Sequence, residues 1–148
     1  MRVLLDTNIF IYREDNHVLS ENLQELLRIL SEAKAEVIVH PLSLEDLQRD
    51  TDNKRKKVMG SKIKAYPFLE TPPNPKDDLS YLNIVGINAG DNDSIDNIIL
   101  YSIYRDAADF LITEDRGIHK KASKLGIIDR ILLIDEALLL FKNYIQIA

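Results

Sequence analysis

The sequence predicts an α/β fold, a three-layer α/β/α sandwich around a central and mainly parallel sheet. Short β-branched or leucine-rich runs are bounded by polar residues, as buried strands are. Segments with helical periodicity separate these runs, and strands that alternate with helices pair in parallel through right-handed crossovers. With 148 residues and 45% hydrophobic content, the chain is long enough for one core and too short for a second full domain. We therefore predict a single domain over residues 1–148.

Four strands are predicted, over residues 2–5, 36–40, 110–113 and 131–134. The clearest helix follows the first strand, where leucines recur on one face at positions 19, 23, 26, 27 and 30. Ser43 and Asp46 have the spacing of a capping box, which predicts a helix that starts at Leu44. Two further helices are expected over residues 93–105 and 135–144.

The stretch from residue 51 to residue 80 opens on a basic run and closes on prolines. Because prolines interrupt regular structure, we expect an irregular or helical excursion on the rim and not a separate domain. The basic residues are candidates for binding a phosphate backbone, with a solvated helix face as the alternative. These candidates are Lys54, Arg55, Lys56 and Lys57, together with Arg116.

The composition excludes several functions. The chain has no cysteine, which excludes disulfides, thiolate metal sites and a cysteine nucleophile and fits a reducing cytoplasm. No apolar run approaches the length of a membrane span, and Asp6 comes too early for a signal peptide. The net charge of −5 argues against a protein that coats nucleic acid indiscriminately. We therefore expect a cytoplasmic protein without a membrane partner. The three histidines lack metal-ligand spacing, so we expect surface or capping roles for His17, His40 and His119.

Acidic residues follow predicted strands or open predicted helices. Asp6 follows the first strand and Asp115 the third, while Glu45, Asp93 and Asp96 fall in early helical turns. Taken singly, such acids are commonly helix caps or favourable charges at helix N-termini. In an open parallel sheet, however, ligands bind beyond the carboxyl ends of the strands. Converging carboxylates raise one another's pKa unless a divalent cation screens them, and oxygen-only ligands suit Mg²⁺ or Mn²⁺. The sequence therefore favours metal-assisted phosphoryl chemistry over covalent catalysis.

Three stretches of the sequence together resemble a known family. They are LDTN at residues 5–8, PLSLE at residues 41–45 and DNIILYSIYRDAADFLITEDRG at residues 96–117. In the last stretch an acid opens a helix, Ala108 and Asp109 precede an apolar strand, and a Thr-x-Asp ending follows, with 115 − 96 = 19 residues from Asp96 to Asp115. This arrangement resembles PIN domains, a family that includes the ribonucleases of toxin–antitoxin systems, and the order of elements covers the whole chain.

The resemblance implies a Rossmannoid PIN fold and a metal-dependent endoribonuclease that hydrolyses RNA to leave a 5′ phosphate and a 3′ hydroxyl. It implies Mg²⁺ or Mn²⁺ held by four catalytic acids, which are Asp6, Glu45, Asp96 and Asp115. It also implies groups that fix the orientation of these carboxylates, namely Thr7, Asn8, Asp93 and Thr113. A homodimer is expected, with a cognate inhibitor protein or an adjacent domain as a further partner.

Other interpretations of the same residues fit less well or stay open. A haloacid-dehalogenase-like phosphatase also uses a strand-end aspartate, but it expects a second Asp where this chain has Asn8. A phosphorylation-dependent receiver domain expects an acidic pair after the first strand and a lysine at a late strand end, where this chain has Glu114 and Asp115. A PIN-fold module that binds RNA or protein without catalysis stays open as the alternative function.

Overall fold

The computed structural model describes residues 1–9, 17–48, 51–86 and 91–147. Four strands lie in this part of the chain, β1 (Arg2–Leu5), β2 (Glu36–Val39), β3 (Phe110–Ile112) and β4 (Ile131–Leu132). The helices are α1 (His17–Glu32), α2 (Leu42–Gln48), α3 (Asn53–Lys64), α4 (Leu79–Val85), α5 (Asp91–Tyr104), α6 (Arg116–Leu125) and α7 (Ile134–Ile147), with short 3₁₀ turns at Pro75–Asp77 and Ile128–Arg130. Within the described residues, none of these helices combines the length and the apolar character that crossing a membrane requires.

The four strands form one sheet in the order β2-β1-β3-β4, and every pairing is parallel. Val3 pairs with Val37 on one side and with Phe110 on the other. The predicted α/β class with a parallel central sheet is therefore confirmed, and the predicted strands agree with the observed ones to within two residues. Because all four strands run the same way, their carboxyl ends share one edge of the sheet.

The core lies on both faces of the sheet, which confirms the three-layer architecture. Successive side chains of a strand point to opposite faces, so Val3 and Leu5 join one apolar cluster while Leu4 joins the other. The first cluster is covered mainly by α1 and α7, which pack against each other. The second is covered by α4, α5 and α6. Both faces of β1 are buried from Val3 to Leu5, which explains the continuous apolar sequence of these residues.

The stretch over residues 51–80 contributes to this core. Helix α3 buries Met59 and Ile63 in the first cluster, and Leu69 lies in the second. Phe68 forms a parallel bridge with Val39, so the chain after α3 runs along the outer edge of β2. The predicted excursion is thus helical at its start, and it is anchored by apolar residues that its basic and proline-rich composition obscures.

Helix α2 begins at Leu42, two residues before the predicted start, so the capping box predicted from Ser43 and Asp46 is wrong. The side chain of His40 does the capping, because its Nδ1 accepts the Leu42 N–H at 3.1 Å. Ser43 is inside the helix, and among the described residues its buried hydroxyl has no hydrogen-bond partner. The expected capping role of His40 is confirmed, and burial lowers the pKa of its ring to about 4.

Candidate functional site

Asp6 is the first residue beyond β1, at the carboxyl edge of the sheet. Its backbone N–H donates to the carbonyl of Ile112, which continues the pairing of β1 with β3. Its side chain is only 3% exposed. One carboxylate oxygen accepts the Thr7 N–H at 2.7 Å, and the other accepts the Thr113 hydroxyl at 2.7 Å. Asp6 is therefore a buried carboxylate whose orientation is fixed by donors that follow two different strands, β1 and β3.

The hydroxyl of Thr113 links the two loops that follow β1 and β3. While it donates to Asp6, it accepts the Asn8 side-chain amide at 3.2 Å and the Asp115 N–H at 3.1 Å. A threonine hydroxyl has one hydrogen to donate and two lone pairs, so all three are used. Thr7, Asn8 and Thr113, which were predicted to orient the carboxylates, all lie around Asp6.

Asp115 caps the N-terminus of α6. Its Oδ1 accepts the Gly117 N–H at 2.8 Å and the Ile118 N–H at 3.4 Å. These bonds hold the half-buried carboxylate at the same edge of the sheet as Asp6, while the adjacent Arg116 is exposed. The capping role of Asp115 does not exclude a second role, because a carboxylate has further lone pairs to offer a cation.

Asp96 enters the site from α5. It lies between the buried residues Ile95 and Asn97, and it is itself half-buried. Burial and the negative charges of Asp6, Asp115 and Asp46, in that order, raise the pKa of Asp96 to about 7, while the charge of Lys121 opposes them. The side chain of Asp93, one turn earlier, lies outside the described residues.

The pKa of Asp6 is raised as well, to about 6. Burial is the main cause, and the charges of Asp46 and Asp115 add to it, whereas the hydrogen bonds from Thr113 and Thr7 lower it. Four carboxylates thus act on one another at the carboxyl edge of the sheet. We call Asp6, Asp46, Asp96 and Asp115 the acid group.

Helix α2 contributes Asp46 to the acid group, where the sequence predicted its neighbour Glu45. With 3.6 residues per turn, Glu45 lies opposite the buried pair Ser43 and Leu47, and it is exposed. Asp46 flanks the buried face and is half-buried. Its charge acts on both Asp6 and Asp96, whereas that of Glu45 is not among the causes of either shift. Glu45 as a ligand stays a prediction, and the structure points to Asp46.

A lysine stands beside the acids, and it was not among the predicted site residues. The ammonium of Lys121, on α6, donates to the side-chain oxygen of Asn97 at 2.8 Å. Asn97 directly follows Asp96 and is 3% exposed, so Lys121 is held next to Asp96 by a buried partner. Lys121 is one of several basic residues in α6, and only the packing of α5 against α6 distinguishes it from its neighbours.

The acid group does not form a ready metal cage. Within residues 1–9, 17–48, 51–86 and 91–147, no three acidic or histidine side chains are arranged so that they could hold one metal ion as they stand. The donor chemistry nevertheless fits a hard cation, because the group offers carboxylate oxygens alone and its charges repel one another. Mg²⁺ keeps several of its waters and needs few protein ligands, so a complete cage is not required.

The predicted basic residues lie on α3 and at the start of α6. Lys54, Lys57 and Arg116 are exposed, while Arg55 and Lys56 are half-buried. The side chain of Asp52 caps α3 by accepting the Arg55 N–H at 3.0 Å.

The sequence matches no protein-family model, and comparisons with curated proteins and with solved structures find no match. Fold and site together define the class of the protein as a parallel α/β domain with mutually repelling carboxylates beyond the ends of its central strands.

Proposed function

We propose that the chain is a metal-dependent endoribonuclease of the PIN type, in which the acid group holds Mg²⁺ or Mn²⁺. One observation carries the proposal: two partly or fully buried aspartates, Asp6 and Asp96, have their pKa values raised by burial and by the charges of neighbouring acids at the ligand-binding edge of a parallel sheet. Such an arrangement destabilises a fold unless a cation neutralises it. Strongly perturbed acids in a cluster are typical of functional sites.

In this proposal, each residue of the acid group and each of its neighbours has a separate role. Asp6, Asp46 and Asp96 would be the principal metal-binding acids, with Asp115 a further ligand or a group that orients water. Thr113 and Thr7 keep Asp6 oriented, and they favour its ionised form. Lys121 adds a positive charge beside Asp96, where a phosphate oxygen of the substrate could also contact it.

When bound, the divalent ions would lower the pKa of a water and stabilise the charge that develops on the phosphate. In the proposed hydrolysis, the water oxygen forms a bond to phosphorus and the bond from phosphorus to the 3′ oxygen breaks. The departing 3′ oxygen takes up a proton, which leaves a 3′ hydroxyl and a 5′ phosphate. The carboxylates of this chain orient the reactants and accept the proton that the water releases.

The test is cleavage of a single-stranded RNA with Mg²⁺ or Mn²⁺ present, comparing wild type with Asp6→Asn and Asp96→Asn. Asp77→Asn is the matched control, because Asp77 is an exposed aspartate in the 3₁₀ turn. We expect both site variants to lose cleavage and the control to keep it. RNA decay at one rate in all four proteins would refute the proposal, since it would point to a contaminating nuclease.

The alternative function is a PIN-fold module that binds RNA or protein without catalysis. The absence of a ready three-ligand arrangement within the described residues favours it. Calorimetric titration of Mn²⁺ separates the two candidates. Binding that is strong in wild type and greatly weakened in Asp96→Asn supports the nuclease. No binding to wild type, with RNA present or absent, supports the module.

The resemblance adds proposals about partners. These are a homodimer and a cognate inhibitor protein or an adjacent domain. The proposed cytoplasmic location rests instead on the sequence, which has no cysteine. Leu139 and Tyr144 on α7 are exposed by 66% and 53%, so this helix presents apolar surface that a partner could cover. Sedimentation at high protein concentration tests the homodimer, and a monomer under all conditions would remove it.

A further inference from the structure

Helix α3 carries a concentration of positive charge that its own stability does not explain. Its twelve residues include six lysines and arginines and no acid. Since the whole chain has a net charge of −5, the remainder carries −5 − 6 = −11. Four of the six basic residues lie in the first turns, where the helix dipole disfavours cations. The pattern therefore suits the binding of an external anion.

Part of this charge lines a groove between α2 and α3, which we call the lysine groove. Its volume is about 400 Å³. It is lined by Leu44, Gln48, Asn53, Lys56, Lys57, Gly60, Ser61 and Lys64. The lining thus combines three ammonium groups with amides and a hydroxyl, and among the residues that the structure describes it includes no carboxylate that would neutralise them.

The groove has the length of a short strand of nucleic acid. Lys56 and Lys64 are eight positions apart on α3, which at 1.5 Å per residue is roughly 12 Å along the axis. Successive phosphates of a stacked strand follow every ~3.4 Å along its axis, so three or four phosphates fit beside the three lysines. Gln48, Asn53 and Ser61 can donate and accept hydrogen bonds, as contacts to a ribose 2′-hydroxyl require.

Helix α2 connects the groove to the acid group. Leu44 and Gln48 face the groove, whereas Asp46, at 3.6 residues per turn, lies on the opposite flank. In agreement, α2 packs against α3 on one side and against α5, which carries Asp96, on the other. The two sites are therefore about one helix diameter apart, on the order of 10 Å. A strand in the groove would reach the acids after a few nucleotides.

We propose that the lysine groove binds the phosphate backbone of a single RNA strand next to the acid group. The shared chemistry is a chain of phosphodiesters, and the identification of the strand as RNA rests on the proposed function. The structure also divides the basic run in a way that the sequence does not. Lys56 and Lys57 line the groove and are joined by Lys64, whereas Lys54 lies outside it.

The test measures binding of a fluorescently labelled single-stranded RNA by anisotropy, in the full chain carrying Asp96→Asn and with EDTA present, so that cleavage does not interfere. One variant combines Lys56→Gln, Lys57→Gln and Lys64→Gln. The control variant removes equal charge outside the groove, from the exposed residues Lys34, Lys124 and Lys142. Far-ultraviolet circular dichroism verifies that both variants are folded.

Each phosphate contact on a single strand contributes about 0.7 to the slope of log K against log salt. We expect the groove variant to reduce the magnitude of the slope by about 2, as three lost contacts imply, and the control variant to leave it nearly unchanged. Equal slopes in the two variants would overturn the groove, since net charge alone would then explain binding. A DNA strand of the same sequence is the second probe: several-fold weaker DNA binding supports RNA, and equal binding overturns that assignment.

The outcomes also separate this inference from the proposed function. A groove variant that loses RNA binding, in a protein that neither binds Mn²⁺ nor cleaves RNA, would uphold the groove and refute the nuclease. Metal-dependent cleavage with a KM unchanged in the groove variant, measured on the chain with Asp96 intact, would refute the groove and uphold the nuclease.

Discussion

Replacing Asp96 by asparagine changes the charge of the site while nearly preserving its shape. In the folded protein the pKa of Asp96 is about 7, against an ordinary value of 3.8. Between these two pH values the folded state binds a proton that the unfolded state has released, so the free energy of unfolding falls as the pH rises. Above pH 7 the ionised carboxylate destabilises the metal-free fold. The introduced asparagine carries no charge, and the variant should therefore be more stable than wild type at pH 8 and about equally stable near pH 4.

The magnitude follows from the size of the pKa change. A rise from 3.8 to about 7 would correspond to about 4 kcal/mol at about 1.36 kcal/mol per pKa unit. Because the side chain is only half-buried, solvent screening reduces this value, and we expect about 1–2 kcal/mol. In a domain of this size one kcal/mol moves Tm by roughly 2–4 °C. The variant should thus unfold about 2–8 °C above wild type at pH 8.

The assay is thermal and urea unfolding in EDTA at pH 4 and pH 8, with Asp77→Asn as the control for loss of an exposed aspartate. Adding Mn²⁺ at pH 8 should then stabilise wild type, since a ligand that binds only the folded state raises the free energy of unfolding. It should stabilise Asp96→Asn much less. An Asp96→Asn variant that is no more stable than wild type at pH 8 would refute the electrostatic account of the site, because its central claim is that ionised Asp96 is unfavourable.

Three further predictions concern the residues that surround Asp6 and Asp115 and the helix that carries Asp46. Thr113→Val removes the hydroxyl that donates to Asp6. The free energy of unfolding should therefore fall by about 1–3 kcal/mol at pH 8, and the rate of RNA cleavage should fall with it. Thr113→Ser keeps the donor, so this variant should retain most of the stability in urea unfolding and most of the activity in the cleavage assay. Asp46→Asn should weaken Mn²⁺ binding about tenfold or more, because loss of a ligand should cost at least as much as loss of a group that orients one. Glu45→Gln should leave Mn²⁺ binding almost unchanged. Calorimetry that gives the reverse order would return the ligand role to Glu45. Gly117→Ala would bring its Cβ to 3.0 Å from Asp115 Oδ1, so it should displace this carboxylate and lower cleavage; a variant of full activity would show that the carboxylate of Asp115 need not stay where it is. Gly60→Ala is the comparison, because its Cβ would meet Leu47 at the ordinary distance of 3.7 Å. Since alanine is the better helix former, Gly60→Ala should raise the free energy of unfolding by roughly 0.5–1 kcal/mol.

The parts of the fold that were predictable from sequence are those that depend on local patterns. Strands buried on both faces are continuous apolar runs, so β1 was found without error, and Asp6 and Asp115 were placed because they follow strands directly. Which of the neighbouring acids Glu45 and Asp46 belongs to the site could not be predicted from a local pattern. It depends on the phase of α2, and this phase is set by the start of the helix, where His40 caps Leu42 through its side chain. The sequence allowed His40 a surface or capping role, but it assigned the cap of this particular helix to Ser43, which is the more familiar capping residue.

The position of Lys121 beside Asp96 could not be predicted from the sequence for a related reason. A lysine at that position of α6 is one of several, and its contact with Asn97 exists only because α5 packs against α6 in the second layer. Tertiary packing, and not any motif, assembles the cation with the acid. The same holds for the lysine groove, which selects Lys56, Lys57 and Lys64 from a basic helix because α2 lies beside them.

The different surroundings of Asp6 and Asp96 imply that the binding of a cation by the acid group would depend on pH. Asp6 receives two hydrogen bonds, which offset part of its burial and hold its pKa at about 6. For Asp96 the opposing influence is the charge of Lys121, and its pKa reaches about 7. Near neutral pH, Asp6 is therefore mostly ionised while Asp96 is about half protonated. A cation that binds both must displace the proton of Asp96, so Mn²⁺ affinity should rise with pH up to about 7 and level off above it. In calorimetry the protons released per ion should fall over the same range, and affinity that is independent of pH from 6 to 8 would mean that Asp96 is not among the ligands.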